Sequence, residues 1–432
     1  MTIPLPAQNF VSASTNLSIG SPNSATVADV NGDGRLDLIS PDYSDNALLI
    51  FTNLGKGSFA LATSYKVGGN PYCVQAVDVN RDGKVDLVSA NSYDNTLTVL
   101  TNNGGGIFGS NATYSVGSSP RSVIAADING SGWPALISAN YNGNTLSVLT
   151  NNGRGSFGSN ATCVVGLNPI SVIAADLNGS GRPALVSVNY NATTLSIFTN
   201  NGSGIFGSNA TVNAGITPGD AVYSVVAADI YGNGHPALVC ADYYGRALLV
   251  LTNNGSGRFG SNATLRAGLT LTWGAAADVN GDGKVDLIAV ENYGNALLIF
   301  TNNGGGIFSS NASYAIGNYP VQAFAADLNN DGKMDLISVN LFDNSLSVLT
   351  NATVFTAASA RPVVTIKQTN IGSLVSWPSA SAGWSLQQSA NLTNNTWLPS
   401  GFGGYQLADN GTNKSLTIAG AAGNSYFRLL HP

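Results

Sequence analysis

The sequence predicts an all-β protein, a seven-bladed β-propeller followed by a small C-terminal β-sandwich module. Three observations carry that prediction. A turn of nearly constant wording occurs seven times, opened by Asp29, Asp78, Asp127, Asp176, Asp229, Asp278 and Asp327. The openers lie 49 residues apart at every step except Asp176 to Asp229, where the spacing is 53. A period near 50 residues marks a repeat architecture. Each repeat holds four short β-rich runs separated by Gly- and Asn-containing turns, and no 3.6-residue period persists, so helix is excluded as the main element.

The third repeat shows the elements in order. Ser122 to Ile128 is apolar and reads as an inner strand. The Asp127 turn follows. Ala135 to Ala139 reads as a second strand buried on both faces. Tyr141 to Asn144 is a turn whose residues tolerate positive φ. Thr145 to Thr150 alternates in polarity and reads as a third strand. Asn151 to Gly155 is a hairpin connection, and Phe157 to Val165 is a fourth, outer strand. Four antiparallel strands written seven times form a propeller, because only a ring of sheets hides both apolar faces of every blade.

The ends of the repeat region predict how the ring closes. The seventh unit stops at Thr350 and Asn351 and lacks its outer strand. Phe10 to Gly20 matches Phe59 to Gly69 at an offset of 49, so the N-terminus is expected to supply that strand. Residues 1–355 are assigned to the propeller, 356–362 to a linker and 363–432 to the sandwich of immunoglobulin or fibronectin type. Expected strands there include Val363 to Gln368, Ser373 to Trp377, Trp384 to Gln388, Ser415 to Ala419 and Tyr426 to Leu430, with Trp377, Trp384 and Trp397 filling a small core.

Composition narrows the function. The net charge of −6 and the lack of any Lys/Arg cluster argue against nucleic acid as a partner. No run of 18 apolar residues exists, so no membrane span is expected. Met1 to Phe10 lacks the basic and apolar regions of a signal peptide, so a leader, if used, is expected to lie outside these residues. Cys73, Cys163 and Cys240 occupy different phases of the repeat and read as small buried strand residues, not a disulfide framework.

Four of the seven turns read Asp-x-Asn-x-Asp-Gly-x-x-Asp, and they hold twelve of the 23 acidic residues. Positions 1, 3, 5 and 9 offer oxygen side chains and position 7 a carbonyl, while Gly at position 6 permits the bend. The sets are Asp29, Asn31, Asp33, Arg35 (main chain) and Asp37; Asp78, Asn80, Asp82, Lys84 and Asp86; Asp278, Asn280, Asp282, Lys284 and Asp286; and Asp327, Asn329, Asp331, Lys333 and Asp335. Calcium takes six to eight oxygens in irregular geometry; magnesium demands a stricter octahedron, and zinc prefers His or Cys. About four calcium ions are therefore expected. The competing account is that Asp, Asn and Gly simply make good turns. In repeats three, four and five, position 5 is Ser131, Ser180 or Asn233 and position 9 is Ala135, Ala184 or Ala237, preceded by Pro134, Pro183 or Pro236. Both carboxylates vanish together, as in a site abandoned as a unit. Extracellular calcium modules bind at roughly 10⁻⁴ to 10⁻³ M, so an extracellular or cell-surface location is expected.

These turns, with Phe-Gly at 108–109, 157–158, 206–207 and 259–260, resemble FG-GAP/VCBS repeats, the family that includes the integrin α-subunit propeller, secreted bacterial proteins and fungal lectins of similar build. The resemblance covers roughly residues 10 to 355. It implies calcium in the intact turns and adhesion or ligand binding as the usual work. The lapsed turns and the incomplete pairs Phe59-Ala60 and Phe308-Ser309 depart from the pattern.

The second-to-third strand turns lie on the face opposite the Asp turns. They carry a polar ring of Asp42, Asn91, Asn140, Asn189, Asp242, Glu291 and Asn340, followed by Tyr43, Tyr93, Tyr141, Tyr190, Tyr243, Tyr293 and Phe342. Two readings stand: the rings pack blade on blade while the polar residues build turns, or the set binds a sugar or a protein loop. Sequons at Asn111, Asn160, Asn209, Asn262 and Asn311 share one phase and read as the wording of a strand start, with glycosylation in a suitable host as the alternative. Only His235 and His431 are present, and no nucleophile motif accompanies them. The expectation is a monomeric, non-enzymatic module for carbohydrate or extracellular protein. A polysaccharide lyase or hydrolase and a structural spacer are the alternatives.

Overall fold

The computed structural model describes residues 9–214 and 221–353, and in the C-terminal part the strand residues of 365–369, 372–378, 385–389, 398–399, 407–409, 413–418 and 426–430. The chain divides into two compact units, the larger Gln8–Val279 with Lys284–Ala352, the smaller Thr353–Pro432 with Met1–Ala7 and Asn280–Gly283.

The larger unit is a seven-bladed propeller of antiparallel four-stranded sheets. Blades 1 to 6 occupy residues 26–66, 71–115, 120–164, 169–213, 222–266 and 271–315. Blade 7 combines 320–351 with Phe10–Ser18, which pairs with Ser345–Asn351 as its outer strand. The only helical element among the described residues is a 3₁₀ turn at Tyr190–Ala192. In blade 3 the strands are Pro120–Ala126, Ala135–Asn140, Thr145–Asn151 and Phe157–Val164. The first ends before Ile128 because the Asp127 carboxylate draws the chain into the turn by accepting from Asn129 N and Gly132 N.

Packing follows from the sequence pattern. The second strand of every blade is buried along its whole six-residue length, with β-branched and Leu side chains facing both neighbours. First strands of successive blades pack against each other, which places them innermost. The buried apolar residues form seven clusters, each shared by two adjacent blades, including blades 7 and 1. Each fully buried Leu or Ile contributes about 1.5–3 kcal/mol through removal from water. Phe59, Phe108 and Phe157 enter these inter-blade clusters, which explains the aromatic at the start of the outer strand. The following Gly is constrained unevenly: a Cβ at Gly158 would meet nothing within 4 Å, whereas one at Gly109 would run into the Asn103 side chain.

A polar device repeats at every interface. The last residue of the third strand, or its equivalent in blade 1, is Asn53, Asn102, Asn151, Asn200, Asn253, Asn302 or Asn351. Its Nδ2 donates to the carbonyl of the residue after the Asp opener in the preceding blade, at 2.6–2.9 Å in all seven cases. The same Nδ2 donates to the position-8 carbonyl of its own turn at 2.9–3.2 Å. In blades 1 to 6 its Oδ1 accepts from the Gly amide two residues on. The sequence reads these residues as hairpin formers. They are also clasps between blades, and Asn53 to Leu328 O closes the ring.

The smaller unit contains a four-stranded sheet built from Thr365–Thr369, Gly372–Pro378, Asn413–Ile418 and Leu407–Asp409, and a three-stranded sheet of Leu398–Pro399, Ser385–Ser389 and Tyr426–Leu430. Val375 and Trp377 are buried. The linker at 356–362, Trp384, Trp397 and His431 lie outside the described residues. All three cysteines are free.

Two stability predictions follow from the closure. Phe10 is buried against the edge of Tyr314 (centroids 5.1 Å, 78°), so Phe10→Ala should lower stability by about 3–5 kcal/mol in urea unfolding. Asn302→Ala strips a donor from Ile230 O and Val285 O and should cost about 1–3 kcal/mol in the same assay; an unchanged midpoint would refute the clasp.

Candidate metal turns and the opposite face

The seven Asp turns share one backbone. Glycine at position 6 has φ between 75° and 86° in all of them, a conformation side chains disfavour. The opener accepts the position-6 amide at 2.6–2.9 Å in six, intact and lapsed turns alike. Asp127, Asp176 and Asp229 are thus explained by the turn itself. Position 3 does similar work: Asn31, Asn80, Asn280 and Asn329 each accept the position-5 amide at 2.8–3.0 Å.

Positions 5 and 9 distinguish the intact turns. Asp33, Asp82 and Asp331 accept the position-7 amide, and the cationic side chain at position 7 reaches back to them. The separations are 2.6 Å for Arg35–Asp33 and 3.8 Å for Lys84–Asp82 and Lys333–Asp331. Position 9 turns inward. Asp37, Asp86, Asp286 and Asp335 are completely buried. One oxygen of each accepts from the main chain of Asn53, Asn102, Asn302 or Asn351 at 2.7–2.9 Å. The other accepts the position-2 amide at 3.0–3.3 Å. The ninth residue therefore joins the turn to the clasp asparagine, a role the ligand spacing does not reveal.

Electrostatics in these turns favour a cation. Burial pushes the Asp37, Asp86 and Asp335 carboxyls above the ordinary range; the amide donors oppose this, and the two other Asp of each turn add to the rise. The donor set is all oxygen, which suits a hard ion. Among the described residues, however, no three acidic, His or Cys side chains converge as a preformed cage. The expected positions share a turn, but their oxygens face backbone amides.

On the opposite face the structure separates the two halves of the predicted ring. Its polar members are inside the blades: Asn91, Asn140, Asn189, Asp242 and Asn340 are fully buried, and Asp42 and Glu291 nearly so. Asn140 Nδ2 donates to Thr145 Oγ1 (3.0 Å) and Ser147 Oγ (2.9 Å), while its Oδ1 accepts from Ser138 Oγ. Asp42 accepts the amides of Gly20, Ser44 and Asp45, Asp242 that of Gly245, and Glu291 that of Leu269. The crossing segment lies so close that a Cβ on Gly166 would come within 2.7 Å of Asn189 Nδ2. As direct ligand contacts, these seven are corrected to turn builders, because a buried polar group must keep its internal partners.

The aromatic half reaches the surface except at Tyr243, which is buried. Tyr93 is 77% exposed, and Tyr293 and Phe342 are each 61% exposed. Tyr319 stacks on Phe342 (4.0 Å, 15°) and meets Tyr293 edge-on. Tyr223 touches both Tyr190 (4.9 Å) and Tyr243 (5.0 Å), and Tyr243 touches Tyr244. Burial raises the Tyr190, Tyr223 and Tyr243 phenols above their usual range, so they remain neutral donors.

Tyr223 of this arc lines an axial cavity of about 90 Å³, to which all seven blades contribute residues from or just before their first strands. The sequence reading missed it. The signal was available: one phase of a nearly uniform repeat holds Asn23, Tyr72, Arg121, Ile170, Tyr223, Thr272 and Val321, seven residues of unrelated chemistry. A position free to vary where its surroundings do not points at an open space.

The FG-GAP-like repeat model matches residues 29–89, 78–138, 127–187, 176–240, 229–289 and 278–338, together most of the chain. Curated protein sequences give no match. Among solved structures, BBS1N in complex with ARL6DN aligns with TM-score 0.59 at 11% identity, covering 83% of this chain and 100% of that one. Virginiamycin B lyase from Staphylococcus aureus aligns with TM-score 0.52 at 15% identity, covering 79% and 98%. An Agrocybe aegerita lectin recognising non-reducing terminal N-acetylglucosamine aligns with TM-score 0.49 at 20% identity, covering 75% and 86%. Identities this low show a shared fold and nothing of function. Six consecutive matches over a seven-bladed ring establish that the chain belongs to the FG-GAP-like repeat family.

Proposed function

We propose that this propeller is a calcium-stabilised, non-enzymatic binding module, extracellular or at the cell surface, whose aromatic face takes carbohydrate or protein. The observation that carries the reading is the group of exposed rings, Tyr244, Tyr293 and Phe342, in an aromatic arc whose Tyr223 lines the axial cavity. Large rings left in water beside one another form the kind of patch that interaction sites use, and aromatic faces with neutral hydroxyls suit sugar CH faces and hydroxyl groups. The acidic residues of the same face hold backbone amides, which supports binding over acid–base chemistry. We also read the two C-terminal sheets as a sandwich.

Calcium's part is structural. In each intact turn an ion held by positions 1, 3, 5 and 9 and the position-7 carbonyl would relieve the repulsion of three carboxylates. The position-2 carbonyl of that turn accepts the clasp asparagine of the next blade. Ordering the turn therefore stiffens the interface.

Two measurements test the reading. Calcium at 10 mM should stabilise the protein by about 1.4–2.7 kcal/mol per site relative to chelator, given the affinities of extracellular modules; calorimetry should count about four ions, and one fewer in Asp82→Asn/Asp86→Asn. Identical melts with calcium and chelator would remove the ion from the account. On a glycan array, Tyr293→Ala/Phe342→Ala should weaken hits about tenfold or more, since each ring stacks for about 0.5–1.5 kcal/mol beyond its area; hits indifferent to both changes would place binding elsewhere.

A further inference from the structure

We infer that the axial cavity is an anion-recognition site in which Arg121 grips the carboxylate of a uronic-acid sugar; this names the ligand class of the face proposed above and rests on that reading. Among the described residues, Arg121 is the only charged side chain lining the cavity. Its guanidinium lies 3.6 Å from the ring centroid of Tyr141 and 5.1 Å from that of Tyr72. The rings hold the plane of the guanidinium by cation–π contact. Among the described residues no carboxylate pairs with Arg121, and no acceptor takes a hydrogen bond from it. A planar cation held by its faces, with its N–H edge unengaged, is prepared for a two-pronged grip on a carboxylate.

The surroundings choose among carboxylates. The cavity offers one positive charge, so it accommodates one carboxylate at a time and not a run of them. Its other polar groups are neutral; Thr272 Oγ1 already donates to Pro320 O and Gln322 Oε1 already accepts the Ala25 amide, which leaves Asn23, Ser171 and the Tyr223 phenol for a ligand. Such groups exchange hydrogen bonds with sugar hydroxyls. Tyr223 is in edge contact with Tyr190 and tilted contact with Tyr243, so the cavity wall continues into the aromatic arc. A uronate can set its carboxylate on Arg121 while its ring rests on those faces. An acidic peptide would supply the charge without the hydroxyls. The cavity lies at the starts of the first strands and the metal turns at their ends, so calcium acts on the scaffold and does not bridge the sugar.

The test is isothermal calorimetry of the full chain with tri-galacturonate and with its uncharged methyl ester, in millimolar calcium. The acid should bind about tenfold or more tightly than the ester, Arg121→Gln should abolish that preference, and Arg121→Lys should restore part of it. Thermal melts check that the variants fold. If Arg121→Gln does not, the acid-to-ester ratio in the unaltered protein still decides. Equal binding of acid and ester overturns the anion site but leaves a sugar-binding module. Binding of a glutamate-rich peptide in place of the uronate overturns the saccharide assignment. Binding of neither sugar overturns the proposal outright.

Discussion

The propeller depends on the contact between consecutive blades. No blade has a core of its own: its second strand is buried on both faces only because a neighbour stands on each side. Apolar area alone would let neighbours slide, since hydrophobic attraction has no direction. The asparagine at the end of each third strand removes that freedom. It binds the preceding blade, its own Asp turn and, in blades 1 to 6, its own hairpin, and it does so at all seven interfaces. In a low-dielectric setting such bonds discriminate strongly, because a displaced blade would leave buried carbonyls unpaired.

The Asp turns belong to the same device. In intact turns the ninth-position carboxylate bridges the clasp asparagine's amide and the position-2 amide, and the position-2 carbonyl receives the next clasp. In the lapsed turns Ala135, Ala184 and Ala237 are buried where that carboxylate stood, and the Pro carbonyl before each still accepts the clasp Nδ2. The geometry of the interface therefore survives the loss of two carboxylates. What changes is the density of negative charge at the turn.

The two faces divide the labour. One holds the Asp turns and Asn-Gly hairpins, where backbone amides and carboxylates concentrate. The other holds crossings and aromatic turns around the axial cavity. Residues that build blades repeat in every copy, whereas residues facing the axis differ from blade to blade: Arg121 next to Tyr72 on one side and Ile170 on the other. A closed ring of equivalent scaffolds thus presents an asymmetric lining.

The repeat period, the four runs per repeat and the orphan strand at Phe10 are local sequence properties, and they were sufficient for blade number and strand order. The positions of the Asp turns and the separation of intact from lapsed copies were equally legible. The roles of individual oxygens were not. Whether Asp37 points outward to an ion or inward to Asn53, whether Asn140 faces a ligand or Ser147, and whether Asn302 only turns the chain or also ties two blades together all depend on neighbours 7 to 72 residues away. The axial cavity arises from seven first strands brought together by ring closure. Sequence determined the blade, because its hydrogen bonds and alternation are local; tertiary structure decided the interface and the site, because burial and charge environment come from residues far apart along the chain.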